Sequence, residues 1–206
     1  MNLGNRASRE VAIGLIASLG LACATPILDP EVEQRHREAE ARRDLGMDYL
    51  AKGRTAMAIR ELAHAESLND SDSDTQLWLG ESYRRKGRLE EARRYAERAV
   101  RLDPSNHDAR LNLSGLYLQM EYFAEASDQA QWLIDDATYL TPWQAFNNRG
   151  WAQFRLKQYE EARLSFEEAL DYRAQYWPAR LNLGILAESQ GKTREAIEAF
   201  GRVVQG

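Results

Sequence analysis

The chain has 206 residues, with 27 Lys and Arg against 32 Asp and Glu, giving a formal net charge of -5 and a pI near 5.4. The signs are interspersed, as where Arg84, Arg85 and Lys86 are soon followed by Glu90 and Glu91. No basic field exists to draw nucleic acid or an anionic membrane surface, and a single cysteine excludes an internal disulfide.

At the N-terminus, Arg6 and Arg9 precede an apolar run from Val11 to Ala22. That run is too short for a comfortable membrane span and matches the core of an export signal, so residues 1–22 read as a signal peptide. Cys23 closes the run in Leu19-Gly20-Leu21-Ala22-Cys23. Its place resembles the lipobox of bacterial lipoproteins, in which this cysteine is acylated and becomes the mature N-terminus, although Gly20 stands where that pattern usually has Leu. Ala22-Cys23-Ala24 equally satisfies the small-x-small rule for ordinary cleavage. Two outcomes follow: an anchored lipoprotein with Cys23 as its lipid site, or a soluble periplasmic protein. By resemblance to lipoprotein sorting rules, Ala24 in place of Asp implies the outer membrane, with the protein facing the periplasm. Residues 23–38, with Pro26, Pro30 and several acids, read as a tether.

From residue 39 the chain repeats itself. Gly46, Gly80, Ser114, Gly150 and Gly184 are equivalent, with successive spacings of 34, 34, 36 and 34 residues. Apolar and small residues recur at the offsets of one helical face, predicting two amphipathic helices per unit and an all-α fold. The first unit is marked by Leu45, Gly46, Tyr49, Gly53, Ala58, Leu62 and Ala65, and the second by Leu79, Gly80, Tyr83, Gly87, Ala92, Ala96, Ala99 and Pro104. Ala126, Ala162 and Ala196 continue the series. These residues resemble the tetratricopeptide (TPR) signature, which implies a right-handed superhelix of about five helix-turn-helix units, at 39–72, 73–106, 107–140, 143–176 and 177–206. Most of the signature residues are packing residues.

The repeat changes step once, where two residues are inserted before Trp143. Thr141 is placed to cap a helix, Pro142 suits its first turn, and Gln144 is placed to complete a capping box. The insertion therefore starts a helix and does not break the array.

No catalytic constellation is present: His36, His64 and His107 lack partners at ligand or catalytic spacing, and there is no nucleophile elbow or phosphate-binding glycine loop. The reading is of a protein that is not an enzyme, with no metal, cofactor or small-molecule substrate. What remains is a surface. The TPR resemblance implies that the second, fifth, sixth, ninth, twelfth and thirteenth places of each unit are concave, which puts Asn112, Asn148 and Asn182 at the sixth place. An asparagine offers both donor and acceptor, so these three could hold the backbone of an extended segment, or be helix-surface residues bonded to water. Around them stand Trp78, Leu118, Trp151, Phe154 and Ile185, large apolar groups that a solvated helix face does not need.

An export signal, a candidate lipid cysteine, a tether and TPR units resemble the type IV pilus biogenesis lipoproteins called pilotins, of the PilF, PilW and Tgl type. The stretch Tyr139-Leu140-Thr141-Pro142-Trp143-Gln144-Ala145-Phe146-Asn147-Asn148-Arg149-Gly150-Trp151 is similar to a pattern of that family. The resemblance implies an outer-membrane-anchored adaptor that binds secretin subunits and promotes their localisation or assembly. Such proteins typically carry six units where five are counted here. Other roles that fit are a lipoprotein scaffold for outer-membrane protein insertion or envelope proteolysis, and, more remotely, an accessory domain of an envelope enzyme.

Overall fold

A computed structural model describes residues 29–204, with side chains to residue 201; Cys23 and the expected signal peptide lie outside the described residues. Ten helices follow one another: α1 (Pro30–Ala51), α2 (Thr55–Leu68), α3 (Ser73–Arg85), α4 (Leu89–Leu102), α5 (His107–Gln119), α6 (Phe123–Asp135), α7 (Pro142–Arg155), α8 (Tyr159–Tyr172), α9 (Trp177–Ser189) and α10 (Thr193–Val204). They form the five expected units. None of the described helices is long and apolar enough to cross a membrane.

Each pair is held by a close approach at the predicted small residue. A Cβ on Gly46 would stand 2.6 Å from the Leu62 side chain, on Gly150 2.7 Å from the Phe166 ring, and on Gly184 2.3 Å from the Phe200 ring. At Gly80 it would meet backbone, 3.2 Å from the Ala92 carbonyl. Ser114 replaces glycine in the third unit and uses its hydroxyl, which donates to the Ala126 carbonyl at 2.9 Å. Ala58, Ala92, Ala126 and Ala162 are fully buried on the facing helices, so a larger side chain would push the hairpins apart.

The turns inside the units repeat a left-handed residue: Gly53, Gly87 and Gly191 have φ of 71°, 73° and 73°. Glu121 (64°) and Lys157 (65°) take that conformation without being glycine. Between units, Asp72 and Asn106 cap α3 and α5 by accepting from the main-chain N–H groups of Thr75 and Ala109.

Two expectations need correction. Residues 30–38 belong to α1 and not to a tether: Asp29 accepts from the Glu31 N–H, Pro30 opens the helix, and Glu31 and Glu33 face its dipole. These start signals act without the apolar period on which the first unit was placed at 39. At the inserted step, α7 does begin at Pro142, but no side-chain bond from Thr141 caps it. Its backbone sits at ψ 52°, short of the extended values of 110° and 93° at Asp72 and Asn106, and the Gln144 N–H bonds to the Thr141 carbonyl at 3.1 Å.

The loop leading to the inserted step sends one side chain into the core. Tyr139 folds in among Ala130, Leu133 and Ala145, and Leu140 beside it is 84% exposed. The Asp136 carboxylate accepts from the Thr138 N–H and hydroxyl and lies 2.9 Å from His107 Nε2, tying the loop to the start of α5. These bonds, with His107 the largest, hold the Asp136 carboxyl down at about 2. His107, for which the sequence shows no partner at ligand or catalytic spacing, is half-buried, paired with Asp136 and flanked by Trp132 and Tyr139.

Candidate functional site

The odd-numbered helices form the inner layer: α1 packs on α3, α3 on α5, α5 on α7 and α7 on α9, while among the described residues the even-numbered helices stand further apart, α2 and α4 being bridged by the long Arg98 side chain to Glu66. Rows that touch on one side and splay on the other curve, with the odd helices on the concave face. All the sequence-predicted groove residues lie on this layer.

The three asparagines differ. Asn112 is exposed, and its amide donates to the Asp108 carbonyl of its own helix at 2.9 Å. Asn148 is half-buried and donates to the Ser114 hydroxyl at 3.4 Å. Asn182, also half-buried, donates to the side-chain oxygen of Asn147 at 2.8 Å. Two of them therefore bind neighbouring inner helices together, and each spends only one of its two N–H groups in doing so. Asn147 was not among the predicted residues; its place beside Asn148 in Phe146-Asn147-Asn148 was the available signal.

Trp151 and Phe154 lie one turn apart on α7 with ring centroids 5.3 Å apart. Both are half-buried against the cluster of Phe146, Ala162, Phe166 and Leu186, so part of each ring is core and part faces outward. Trp78 is likewise half-buried, against Leu50, Leu62 and Leu79, and Leu118 and Ile185 are intermediate. The structure thus brings the aromatic pair together and leaves Trp78 two inner helices away.

Charge divides the face. In the first two units Arg43 donates to Asp72 at 3.0 Å, while Glu81 accepts from both Arg84 and Arg85 at 2.7 Å. Burial alone would raise Glu81, but the two arginines outweigh it and hold its carboxyl below the usual range. From α5 onward the inner places hold mainly Leu111, Asn112, Gly115, Asn147, Asn148, Trp151, Phe154 and Asn182. Behind them Arg149 is a half-buried support that sequence reasoning missed. Its guanidinium donates to Gln131 at 2.6 Å and Ser165 at 3.1 Å and lies over the Phe146 ring, and burial pushes its pKa down.

The later half of the inner face thus displays asparagine amides and partly exposed aromatic rings. The tetratricopeptide repeat family model matches residues 43–107, 79–131, 111–178 and 147–205. Among solved structures, the chain is similar to PilF of Pseudomonas aeruginosa, at 21% identity and a TM-score of 0.75, covering 84% of this chain and 78% of that one. PilW, described as a widely conserved type IV pilus biogenesis factor, is similar at 20% identity and a TM-score of 0.76, covering 80% and 76%. A MamA protein matches at 21% identity and a TM-score of 0.68, covering 82% and 91%. No curated protein matches. At such identities the likeness speaks to fold, and with the repeat model spanning most of the sequence, the chain belongs to the tetratricopeptide repeat family.

Proposed function

We propose that this protein is an exported adaptor of type IV pilus biogenesis, held at the outer membrane by a lipid on Cys23, that binds secretin subunits and promotes their localisation or assembly. It works by binding and not by catalysis. The observation that carries the binding part is the inner face of α5, α7 and α9, where the half-buried pair Trp151 and Phe154 stands among asparagine amides. Aromatic groups rigidly seated in a core and partly exposed are the usual energetic centres of interfaces. The pilus assignment is supported by the shape shared with PilW, whose description names that process, and by the Tyr139–Trp151 stretch.

The test is co-purification of the detergent-extracted protein with purified type IV pilus secretin subunits. A stable complex is expected. Its absence, together with recovery of a barrel insertase or a protease from the same extract, would replace the pilus reading with the envelope-scaffold one. The anchor is tested separately by metabolic labelling with a fatty acid: the wild type should take label and Cys23→Ser should not, and equal labelling of both would remove the lipid from the account.

A further inference from the structure

The loops that join one unit to the next differ in what they leave exposed. The first two turn on side-chain bonds, the Ser71 N–H and hydroxyl donating to Asn69 and those of Ser105 to Asp103, and their exposed residues are Asp70, Ser71, Pro104 and Ser105. At the last two, large apolar groups stand out. Leu140 is 84% exposed, Tyr172 and Trp177 are each 58% exposed, and Trp143 is half-buried with the Arg173 guanidinium over its ring at 5.3 Å. Tyr172 rests on Phe146, with ring centroids 5.5 Å apart, so the cluster is held from beneath by the core.

Consecutive helices run back and forth, so the start of every odd-numbered helix and every loop between units lie on one rim of the array. α1 starts on that rim and overhangs it, because Pro30 precedes by nine residues the place of Ala39, equivalent to Ser73 at the start of α3; the rise is about 13 Å. From Asp29 back to Cys23 the chain can reach about 20 Å at most, more than the overhang, so a bilayer holding Cys23 lies within reach of this rim. The opposite rim is of another kind: all four lysines of the chain, Lys52, Lys86, Lys157 and Lys192, stand exposed there at the turns inside the units. Around the aromatic cluster no cations stand in excess, since Asp136 meets His107, Asp135 accepts from Gln131 and Arg173 lies over Trp143. Tryptophan and tyrosine, apolar in body and polar at one edge, are the side chains that settle at the headgroup level of a bilayer.

We infer that the rim at Leu140, Trp143, Tyr172 and Trp177 is a membrane-contact edge that seats in the headgroup layer of a zwitterionic phospholipid bilayer. The array is then held at two places, by the lipid ahead of the first unit and by the aromatic edge of the fourth and fifth. A few side chains seat weakly by themselves, but beside an anchor the contact is intramolecular and a modest affinity suffices. Held in this way, the array does not swing on its anchor, and the inner face keeps a fixed aspect to the membrane. The inference rests on the anchored reading of Cys23, but not on the identity of the protein partner.

In the experiment the full protein, extracted in detergent, is reconstituted with vesicles of phosphatidylcholine brominated on the acyl chains near the headgroup, and flotation and tryptophan fluorescence are read together. The protein should float, and its emission should be partly quenched relative to unbrominated vesicles. Trp177→Phe should remove the larger share of the quenching, and Trp151→Phe none of it. Leu140→Asp, whose side chain stands in solvent, should leave circular dichroism unchanged and weaken the seating by at least about tenfold, as expected for one apolar side chain kept out of the bilayer. Most of the quenching should then be lost while flotation persists, and added salt should change neither, because no charge pairing is involved. Flotation without quenching, or quenching that survives both Leu140→Asp and Trp177→Phe, would overturn the inference and leave this rim to a protein partner. Flotation that Leu140→Asp abolishes together with the quenching would keep the edge and remove the lipid on Cys23. A protein that neither floats nor is quenched would overturn both.

Discussion

The first two units and the last three use the same scaffold to opposite ends. In the first two, charge is spent on joining units: Arg43 reaches from α1 to Asp72 at the cap of α3, Arg85 donates to the Leu50 carbonyl, and Arg98 spans to Glu66 and Asp70. In the last three, the joining bonds run to neutral acceptors: Asn182 to Asn147, Asn148 to Ser114, and the Arg149 guanidinium to the Gln131 amide. Ion pairs occur here too, as between the exposed Arg155 and Glu121. An ion-paired face has satisfied itself and gives little to a visitor. A face of amides and half-buried rings keeps donors, acceptors and apolar area in hand, and the contrast locates binding in the later units.

The largest effect should come from Trp151→Ala, which removes an aromatic centre from the later face. Loss of such a group costs about 2 kcal/mol or more, or about 30-fold in affinity. Titration of purified secretin subunits measures it, with circular dichroism alongside, because Trp151 is also part of the α7–α8 core. Phe154→Ala should follow with a smaller loss. If Arg43→Ala weakened binding as much as Trp151→Ala, the division between the halves would fail.

The next effect belongs to the early face and concerns stability alone. Glu81→Gln should cost about 1 kcal/mol near neutral pH, since both arginine partners stand partly in water. The folded state lowers the Glu81 pKa, so its contribution is present above the ordinary carboxylate range and lost as pH falls through the lowered value. Denaturant unfolding of wild type and variant should therefore differ at pH 7 and converge only once the pH has fallen below that lowered value. Affinity for secretin subunits should not change.

Asn182→Ala should be intermediate in kind, removing both a groove amide and the bond to Asn147. A net hydrogen bond is worth about 1 kcal/mol, which is about fivefold in binding, with a comparable loss in unfolding free energy. A stability loss with unchanged affinity would mean that this amide serves only the stack of helices.

How much of this was legible in the sequence depends on range. The units, their small residues and the insertion were readable because each rests on a spacing along the sequence, inside a hairpin or from one repeat to the next. Side-chain pairings across long stretches of chain were not. His107 and Asp136 are separated by 29 residues and meet only because the inserted loop folds Tyr139 into the core. Arg149 occupies a place where an apolar residue was due, and its neutral acceptors, Gln131 and Ser165, come from two other helices. The early start of α1 escaped a reading built on apolar period, since its first turns are charged and exposed.

The smallest effect separates stability from binding within the later half. Lys157→Gly relieves a left-handed residue in the α7–α8 turn, and thermal unfolding should show a gain of about 0.5–1 kcal/mol. Its affinity should equal that of the wild type, because the turn lies off the inner face.

Hydrogen–deuterium exchange on the full protein, with and without purified secretin subunits, tests the central claim most directly. The account predicts added protection along α5, α7 and α9, with α1 and α3 unchanged. Protection confined to α1 and α3, or to the outer helices α2, α4, α6, α8 and α10, would contradict it.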